Sequence, residues 1–217
     1  TATFGGTVQL SASGGSGSGA VTYTAGSSTA CSVDPPTGVV TITRGMGKCE
    51  ISATKAEDAN YNPATSAAFS IWVEPADQTI SLGPFGNKTF GDLPFALNAT
   101  ATSGLPVSVT SSPNCPKASE TMLMIIGAGS CTVDAMQGGD VNYDPAPLVM
   151  LTFTIAKATP VIVWPAPTSM VYGEALGGVQ LNATATGVGG ASLTGAFDYS
   201  PPAGTVLGLG SHALVAN

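Results

Sequence analysis

The chain is 217 residues long, 43% hydrophobic and only 9% charged, with thirteen acids against six bases and a net charge of −7. Ordinary globular proteins carry roughly 25% charged residues, so the solvated surface here must be hydroxyl and amide, while the apolar share excludes intrinsic disorder. No basic cluster offers a footprint for a phosphate backbone, which argues against a nucleic-acid partner, and no apolar run approaches the length of about eighteen residues that would predict membrane insertion.

Taken from its start, Thr1-Ala-Thr-Phe-Gly5 lacks the charged and hydrophobic regions of a signal peptide, so the chain reads as mature or as an excised piece. Residues alternating with period two then supply a series of inward faces: Val8, Leu10 and Ala12; Val21 and Tyr23; Val40 and Ile42; Cys49, Ile51 and Ala53; Phe69, Ile71 and Val73. That period belongs to half-buried strands. The Gly- and Ser-rich segment from Ser11 to Gly19 is expected to be a flexible loop tip between strands of one unit. Gly45-Met-Gly-Lys-Cys49 and Asp58-Ala-Asn-Tyr-Asn-Pro63 follow.

From about Gln78 a second series begins. Thr79 to Leu82 predicts a strand, Gly83-Pro84 a turn, and Lys88-Thr89-Phe90 a segment closed by Gly91-Asp92. Phe95, Leu97, Ala99 and Ala101 point one way, with Ala96, Asn98, Thr100 and Thr102 opposite; Val107 and Val109 continue the pattern, and Met122 to Ile126 reads as an apolar strand. Cys131, Val133 and Ala135 face inward against Thr132, Asp134 and Met136, and Leu151, Phe153 and Ile155 close the series. Here the earlier pattern returns as Gly127-Ala-Gly-Ser-Cys131 and Asp140-Val-Asn-Tyr-Asp-Pro145, with the first Gly sixteen positions before the Tyr in both copies.

A third series opens at Val161-Ile-Val-Trp164 and carries Tyr172-Gly-Glu174, Leu181-Asn-Ala-Thr184 and Gly208-Leu-Gly-Ser-His212. A period of about 80 residues makes this a repeat protein. The expected fold class is all-β: tandem immunoglobulin-like antiparallel β-sandwiches in an elongated array, with no helix. The expected domains are 1-75, lacking its first strand; 76-158, complete; and 159-217, ending before its last strand. Junctions fall near Glu74 to Asp77 and Ala156 to Pro160, where Pro favours short, semi-rigid connections.

The four cysteines allow three pairings. Repetition selects Cys31 with Cys49 and Cys115 with Cys131, separated by 18 and 16 positions. Such structural disulfides imply an oxidising, extracytoplasmic compartment; a metal site is disfavoured because there is no Cys-x-x-Cys and only one histidine. In the loops, Asp58, Asn60, Tyr61 and Pro63, like Asp140, Asn142, Tyr143 and Pro145, are expected to be turn residues. Asp and Asn bond nearby amides, Pro sets the exit, and Tyr packs back on the sandwich. Calcium would need more carboxylates at alternating positions. His212 stands where the other copies have cysteine, with no nucleophile motif beside it, so no catalytic residue, metal or cofactor is expected. Trp72, Trp164 and the tyrosines read as core and junction packing. Asn87, Asn98 and Asn182 lie in Asn-x-Thr sequons, open to glycan attachment.

These residues resemble tandem bacterial immunoglobulin-like repeats of the MBG type, through Gln78-Thr-Ile, Thr89-Phe-Gly-Asp92, Phe95 to Val107, Gly127 to Val133, Asn142-Tyr-Asp-Pro-Ala146 and Lys157-Ala-Thr-Pro160. The resemblance implies a non-catalytic stalk or fibre segment of a secreted or surface-anchored adhesin-like protein, located outside the cell or on a bacterial surface. Its expected partners are neighbouring repeats of the same or an identical chain, with a host or surface ligand as a further candidate. Two rival readings stand beside it. One is a glycan- or protein-binding module using the loops Ser11 to Gly19, Ser111 to Lys117 and Val188 to Leu193; the other is a filament subunit assembling by strand pairing between chains.

Overall fold

The computed structural model describes residues 1–217, and its regular structure is almost entirely strand. β1 (Ala2–Thr3), β2 (Thr7–Gln9), β3 (Val21–Thr24), β4 (Cys31–Val33), β5 (Val39–Ile42), β6 (Gly47–Lys55), β7 (Ala64–Thr65) and β8 (Phe69–Glu74) come first. β9 (Ile80–Leu82), β10 (Lys88–Thr89), β11 (Phe95–Ala96), β12 (Ala99–Ala101), β13 (Ser108–Ser111), β14 (Lys117–Ser119), β15 (Met122–Leu123), β16 (Gly129–Met136) and β17 (Val149–Ala156) follow. β18 (Val161–Val163), β19 (Thr184–Thr186), β20 (Tyr199–Ser200) and β21 (Val215–Ala216) complete the chain. A single 3₁₀ turn at Val188–Gly190, with Gly189 at φ 68°, departs from the expectation of no helix at all. No helix is long and apolar enough to cross a membrane.

Compactness divides the molecule into two units. Thr1–Pro84, Leu97–Thr110 and Val133–Leu151 form the first; Phe85–Ala96, Ser111–Thr132 and Thr152–Asn217 form the second. In the first unit a sheet of order β1-β8-β6-β3, with β7 beside β6, faces a sheet of order β2-β5-β4. This is an immunoglobulin-like sandwich. Val40 and Ile42 from one sheet meet Cys49, Ile51, Ile71 and Val73 from the other, all buried, each Val or Ile contributing about 1.5–3 kcal/mol of hydrophobic stabilisation. Cys31 on β4 is bonded to Cys49 on β6, so the disulfide crosses between the sheets, with 5.6 Å between Cα atoms. β1 is parallel to β8, with Ala2 opposite Val73, whereas β8 is antiparallel to β6.

A second pair of sheets repeats the arrangement. β10 runs parallel to β17, with Lys88 opposite Ile155, in a sheet of order β10-β17-β16-β13. Across it lies β11-β15-β14. Cys115 is bonded to Cys131, with Cα atoms 5.8 Å apart, and Phe85, Phe95 and Phe153 interlock with ring centroids 5.6–5.9 Å apart. Such tilted and edge-on pairs are worth about 0.5–1.5 kcal/mol each beyond their burial. Further along, β18 pairs with β19 and β20 with β21.

The period-two alternation places β16 with Cys131, Val133 and Ala135 buried, and β17 with Leu151, Phe153 and Ile155 on its inner side. Four expectations need correction. The apolar run from Met122 stops being strand at Leu123, because the next amides turn to loop carbonyls: Met124 N–H donates to Pro116 O and Ile126 N–H to Asn114 O, both at 3.0 Å. Phe69 is 63% exposed although it pairs with buried Ile51, since past that point β6 leaves β8 for β3 and β7. Ala12 is exposed beyond the end of β2. Trp72, expected to pack, lies on the outer face of β8 between buried Ile71 and Val73, also 63% exposed. Asn87, Asn98 and Asn182 all stand exposed.

Candidate functional site: an interlocking loop

Two copies of one turn organise the site. In the first, the Asp58 carboxylate accepts the N–H groups of Asn60 at 2.9 Å and Tyr61 at 3.1 Å, and Asp58 N–H donates to Tyr61 O at 3.0 Å. In the second, Asp140 accepts from Asn142 at 2.8 Å and Tyr143 at 2.9 Å, and its N–H donates to Tyr143 O at 2.9 Å. Aspartate forms this turn because its short carboxylate reaches amides two and three residues on. Locally the two loops are the same.

Their outward contacts differ completely. The Asp58 loop grips its own module: Ser18 N–H donates to Asp58 Oδ2 at 2.6 Å, and a Cβ at Gly19 would stand 1.9 Å from Ala56 O. The end of the Ser11 to Gly19 loop, read from composition as free, is therefore pinned. Tyr61, expected to pack back on the sandwich, is half exposed.

The Asp140 loop instead reaches, within the first unit, to the stretch around Phe4, Gly45 and Ala76. Asn142 Oδ1 accepts Gly45 N–H at 3.1 Å, Asn142 O accepts Ala76 N–H at 2.8 Å, and Asp144 N–H returns to Ala76 O at 3.0 Å. Tyr143 meets Phe4 edge-on, centroids 5.3 Å apart and planes at 82°. Gly45 is buried under the loop, and a Cβ there would lie 2.6 Å from Val141 O and 2.9 Å from the Cα atoms of Asn142 and Pro75.

A buried amide holds the loop from behind. Gln78, 3% exposed, donates through Nε2 to Gln137 Oε1 at 2.6 Å and to Asp144 O at 2.7 Å, while its Oε1 accepts Ser103 Oγ at 2.5 Å. Gln137 Oε1 also accepts Gly139 N–H at 2.5 Å. Nε2 of Gln78, with two N–H groups for two acceptors, and its Oε1 are thus satisfied inside the protein, as burial of an amide requires. Sequence reasoning quoted Gln78 only as part of a motif and missed Gln137, Ser103, Phe4 and Gly45 as a set. Only spatial assembly relates them.

Gln78→Glu will show what this network is worth. The substitution leaves shape unchanged but turns Nε2 into an acceptor facing Gln137 Oε1 and Asp144 O, so the loss in urea unfolding should be about 2–3 kcal/mol or more, against about 1–3 for Gln78→Ala. A Glu variant as stable as the parent would refute the assigned bonding.

Asp58 carries a pH signature. Its carboxyl is held below the ordinary aspartate value of 3.8, chiefly by the Asn60 N–H and next by that of Ser18. A lowered carboxyl stabilises the folded loop above pH 3.8 and loses that contribution as pH falls through its own lower value. Amide protection of Ser18 and Asn60 will therefore fade only in that acid window, and in Asp58→Asn it will not follow pH there. An NMR titration midpoint for Asp58 at or above 3.8 would refute this.

No group of three or more His, Cys, Asp or Glu side chains is placed to hold a metal ion. His212 is exposed and its ring nitrogen lies 2.8 Å from Gly208 O. The site is an interlock between backbone and amide groups within the first unit.

Comparison with known proteins adds similarities of fold. No family model matches the chain, and no curated protein matches it. Among solved structures, Drosophila N-cadherin EC1-4 is similar at 13% identity and TM-score 0.34, covering 64% of this chain and 41% of its own. Human protocadherin-24 EC1-2 is similar at 14% identity and TM-score 0.30, with 64% and 82% covered. The surface-layer protein SbsC, domains 1-6, is similar at 16% identity and TM-score 0.34, with 82% of this chain and 25% of that one covered. The chain thus spans about two-fifths of the N-cadherin fragment and a quarter of the SbsC fragment. The functional reading rests on the geometry of the Asp140 loop itself.

Proposed function

We propose that the chain is a non-catalytic stalk or fibre segment of a bacterial cell-surface or secreted adhesin-like protein, built from tandem immunoglobulin-like repeats at 1-75, 76-158 and 159-217. The observation that carries the proposal is the Asp140 loop seated on Phe4, Gly45 and Ala76. It joins one repeat to the base of its neighbour through backbone bonds and one aromatic pair, which resists bending at the Glu74 to Asp77 junction. The two disulfides support an oxidising, extracytoplasmic compartment and limit how far the first two repeats extend under load.

The loops of the rival binding reading are tied down. Ser18 is held by Asp58, Asn114 donates to Ser130 O at 3.4 Å beside the Cys115 bridge, and Val188 packs against Gly91. That favours a spacer over a recognition surface. Small-angle scattering of the native chain tests the proposal. A rod whose length follows three repeats in line is expected, and a compact globule would overturn it.

A further inference from the structure

The chain holds two Asp–Pro bonds, Asp34–Pro35 and Asp144–Pro145. In the other copy of the turn, the pair that corresponds to the second is Asn62–Pro63. An Asp–Pro bond carries its own nucleophile: the aspartate carboxyl reaches its own carbonyl carbon by closing a cyclic anhydride, and the proline nitrogen leaves as a secondary amine. Whether such a bond breaks depends on what holds its carboxyl and its carbonyl.

At Asp34 both groups are held. Its carbonyl accepts Gly38 N–H at 2.8 Å, and its Oδ2 accepts the Thr37 hydroxyl, so the carboxyl is occupied by another donor. At Asp144 the carbonyl is held in the same way, accepting Nε2 of buried Gln78 at 2.7 Å. Asp144 otherwise joins the network through its N–H, bonded to Ala76 O, and the residue stands exposed. The peptide between Asp144 and Pro145 is clamped. Ala146 N–H donates to Gln137 O at 2.9 Å, and Gly139, at φ 72°, lies so close that a Cβ would stand 2.8 Å from Asp144 C and 2.9 Å from Pro145 N. The charged groups on the stretches packed around it are exposed Arg44, Glu74 and Asp77, and Asp140, whose carboxylate holds the Asn142 and Tyr143 N–H groups. Both Asp–Pro carbonyls are polarised, but the nucleophile is free only at Asp144.

We propose that Asp144–Pro145 is an acid-triggered self-scission site. A carboxyl oxygen of Asp144 bonds to the Asp144 carbonyl carbon, the C–N bond to Pro145 breaks, and the carboxyl proton passes to the proline nitrogen. This leaves a cyclic anhydride on Asp144 and a free secondary amine on Pro145. Water then adds across the anhydride and gives two carboxyl groups, so water is the only other reactant. Gln78 N–H points at the oxygen on which negative charge develops, and the clamped peptide keeps its carbon within reach of a carboxyl that is free to turn. The cut falls between β16 and β17, after both disulfides, so no covalent link spans it. β17 stays seated between β10 and β16, and its ladder holds the nicked chain together until load or unfolding separates the pieces. The inference stands apart from the stalk reading, because it concerns one bond and the groups around it.

The test holds the full chain at about pH 4, near the ordinary aspartate pKa, and follows it by intact-mass spectrometry after denaturing each sample. Fragments 1–144 and 145–217 are expected, the second starting at Pro145, and they form about tenfold faster than the products of cutting at Asp34–Pro35. In urea, where neither bond keeps its partners, the two rates converge to within about twofold. Asp144→Asn, which matches Asn62 of the other turn, abolishes the cut after residue 144. Thr37→Val removes the hydroxyl from Asp34 and raises scission at Asp34–Pro35 toward the Asp144 rate. Equal rates at the two bonds in the folded chain, an unchanged ratio in urea, cutting after residue 144 in Asp144→Asn, or a folded chain that resists the cut while the unfolded chain undergoes it would each overturn the proposal.

Discussion

Gly45→Ala will release the Asp140 loop from the Phe4 and Gly45 surface while leaving both disulfide-bridged cores folded. Gly45 has no left-handed backbone conformation to defend, so alanine costs nothing through φ. The cost is steric: the new Cβ would sit 2.6 Å from Val141 O and 2.9 Å from two Cα atoms. All three obstacles are backbone, which yields only if the loop withdraws. With it go the bonds from Gly45 N–H to Asn142 Oδ1 and between Ala76 and residues 142 and 144, and the Phe4–Tyr143 contact. Overpacking of this kind costs about 1–3 kcal/mol, which is read as roughly ten- to hundredfold faster exchange of the Ala76 and Asp144 amides. Gly127, the counterpart in the next copy of the motif, is the control. A Cβ there meets the Asn114 side-chain oxygen at 2.9 Å, and a terminal amide can rotate away, so Gly127→Ala should leave Ala76 and Asp144 exchange unchanged. Equal effects from both substitutions, or none from Gly45→Ala, would remove the interlock as the basis of stiffness.

Removing either disulfide is the largest single loss of stability we expect. Cys31 and Cys49 are 18 positions apart and Cys115 and Cys131 are 16 apart; loops of that size correspond to about 3 kcal/mol of denatured-state entropy each. Cys49, Cys115 and Cys131 are fully buried, so replacing a pair with alanine also leaves a void beside the core. A domain of this size has a stability of the order of 4–12 kcal/mol in total, so one bridge is a large fraction of it. Urea unfolding of Cys31→Ala/Cys49→Ala and Cys115→Ala/Cys131→Ala, each against the oxidised parent, should show a drop of about 3 kcal/mol or more in the affected module. A drop under about 1 kcal/mol would mean that the sheets hold together without the bridge.

The all-β class was legible because alternation with period two is a property of consecutive residues, and each strand announces its buried face through Val, Ile, Leu and Cys. The same logic fails at strand ends and edges. Phe69 and Trp72 carry the right chemistry for a core, yet burial depends on whether another element covers the position, which neighbours in sequence do not encode. Met122 to Ile126 is apolar throughout, and only the carbonyls of Pro116 and Asn114 stop the ladder at Leu123. Gln78 shows the converse: a polar residue enters the interior because Gln137, Ser103 and Asp144, 25 to 66 positions away, supply its partners.

What the sequence alone determined, then, is each local conformation: the alternating strands, and the two Asp-x-Asn-Tyr turns, in which an aspartate bonds amides two and three residues on. The tertiary structure decided what those turns do. Asp58 closes on Ser18 inside its own module, whereas the identical turn at Asp140 presents Asn142 and Tyr143 to Gly45, Ala76 and Phe4. A turn's geometry follows from bonds spanning three residues, but its partner follows from which surface the rest of the chain brings opposite it.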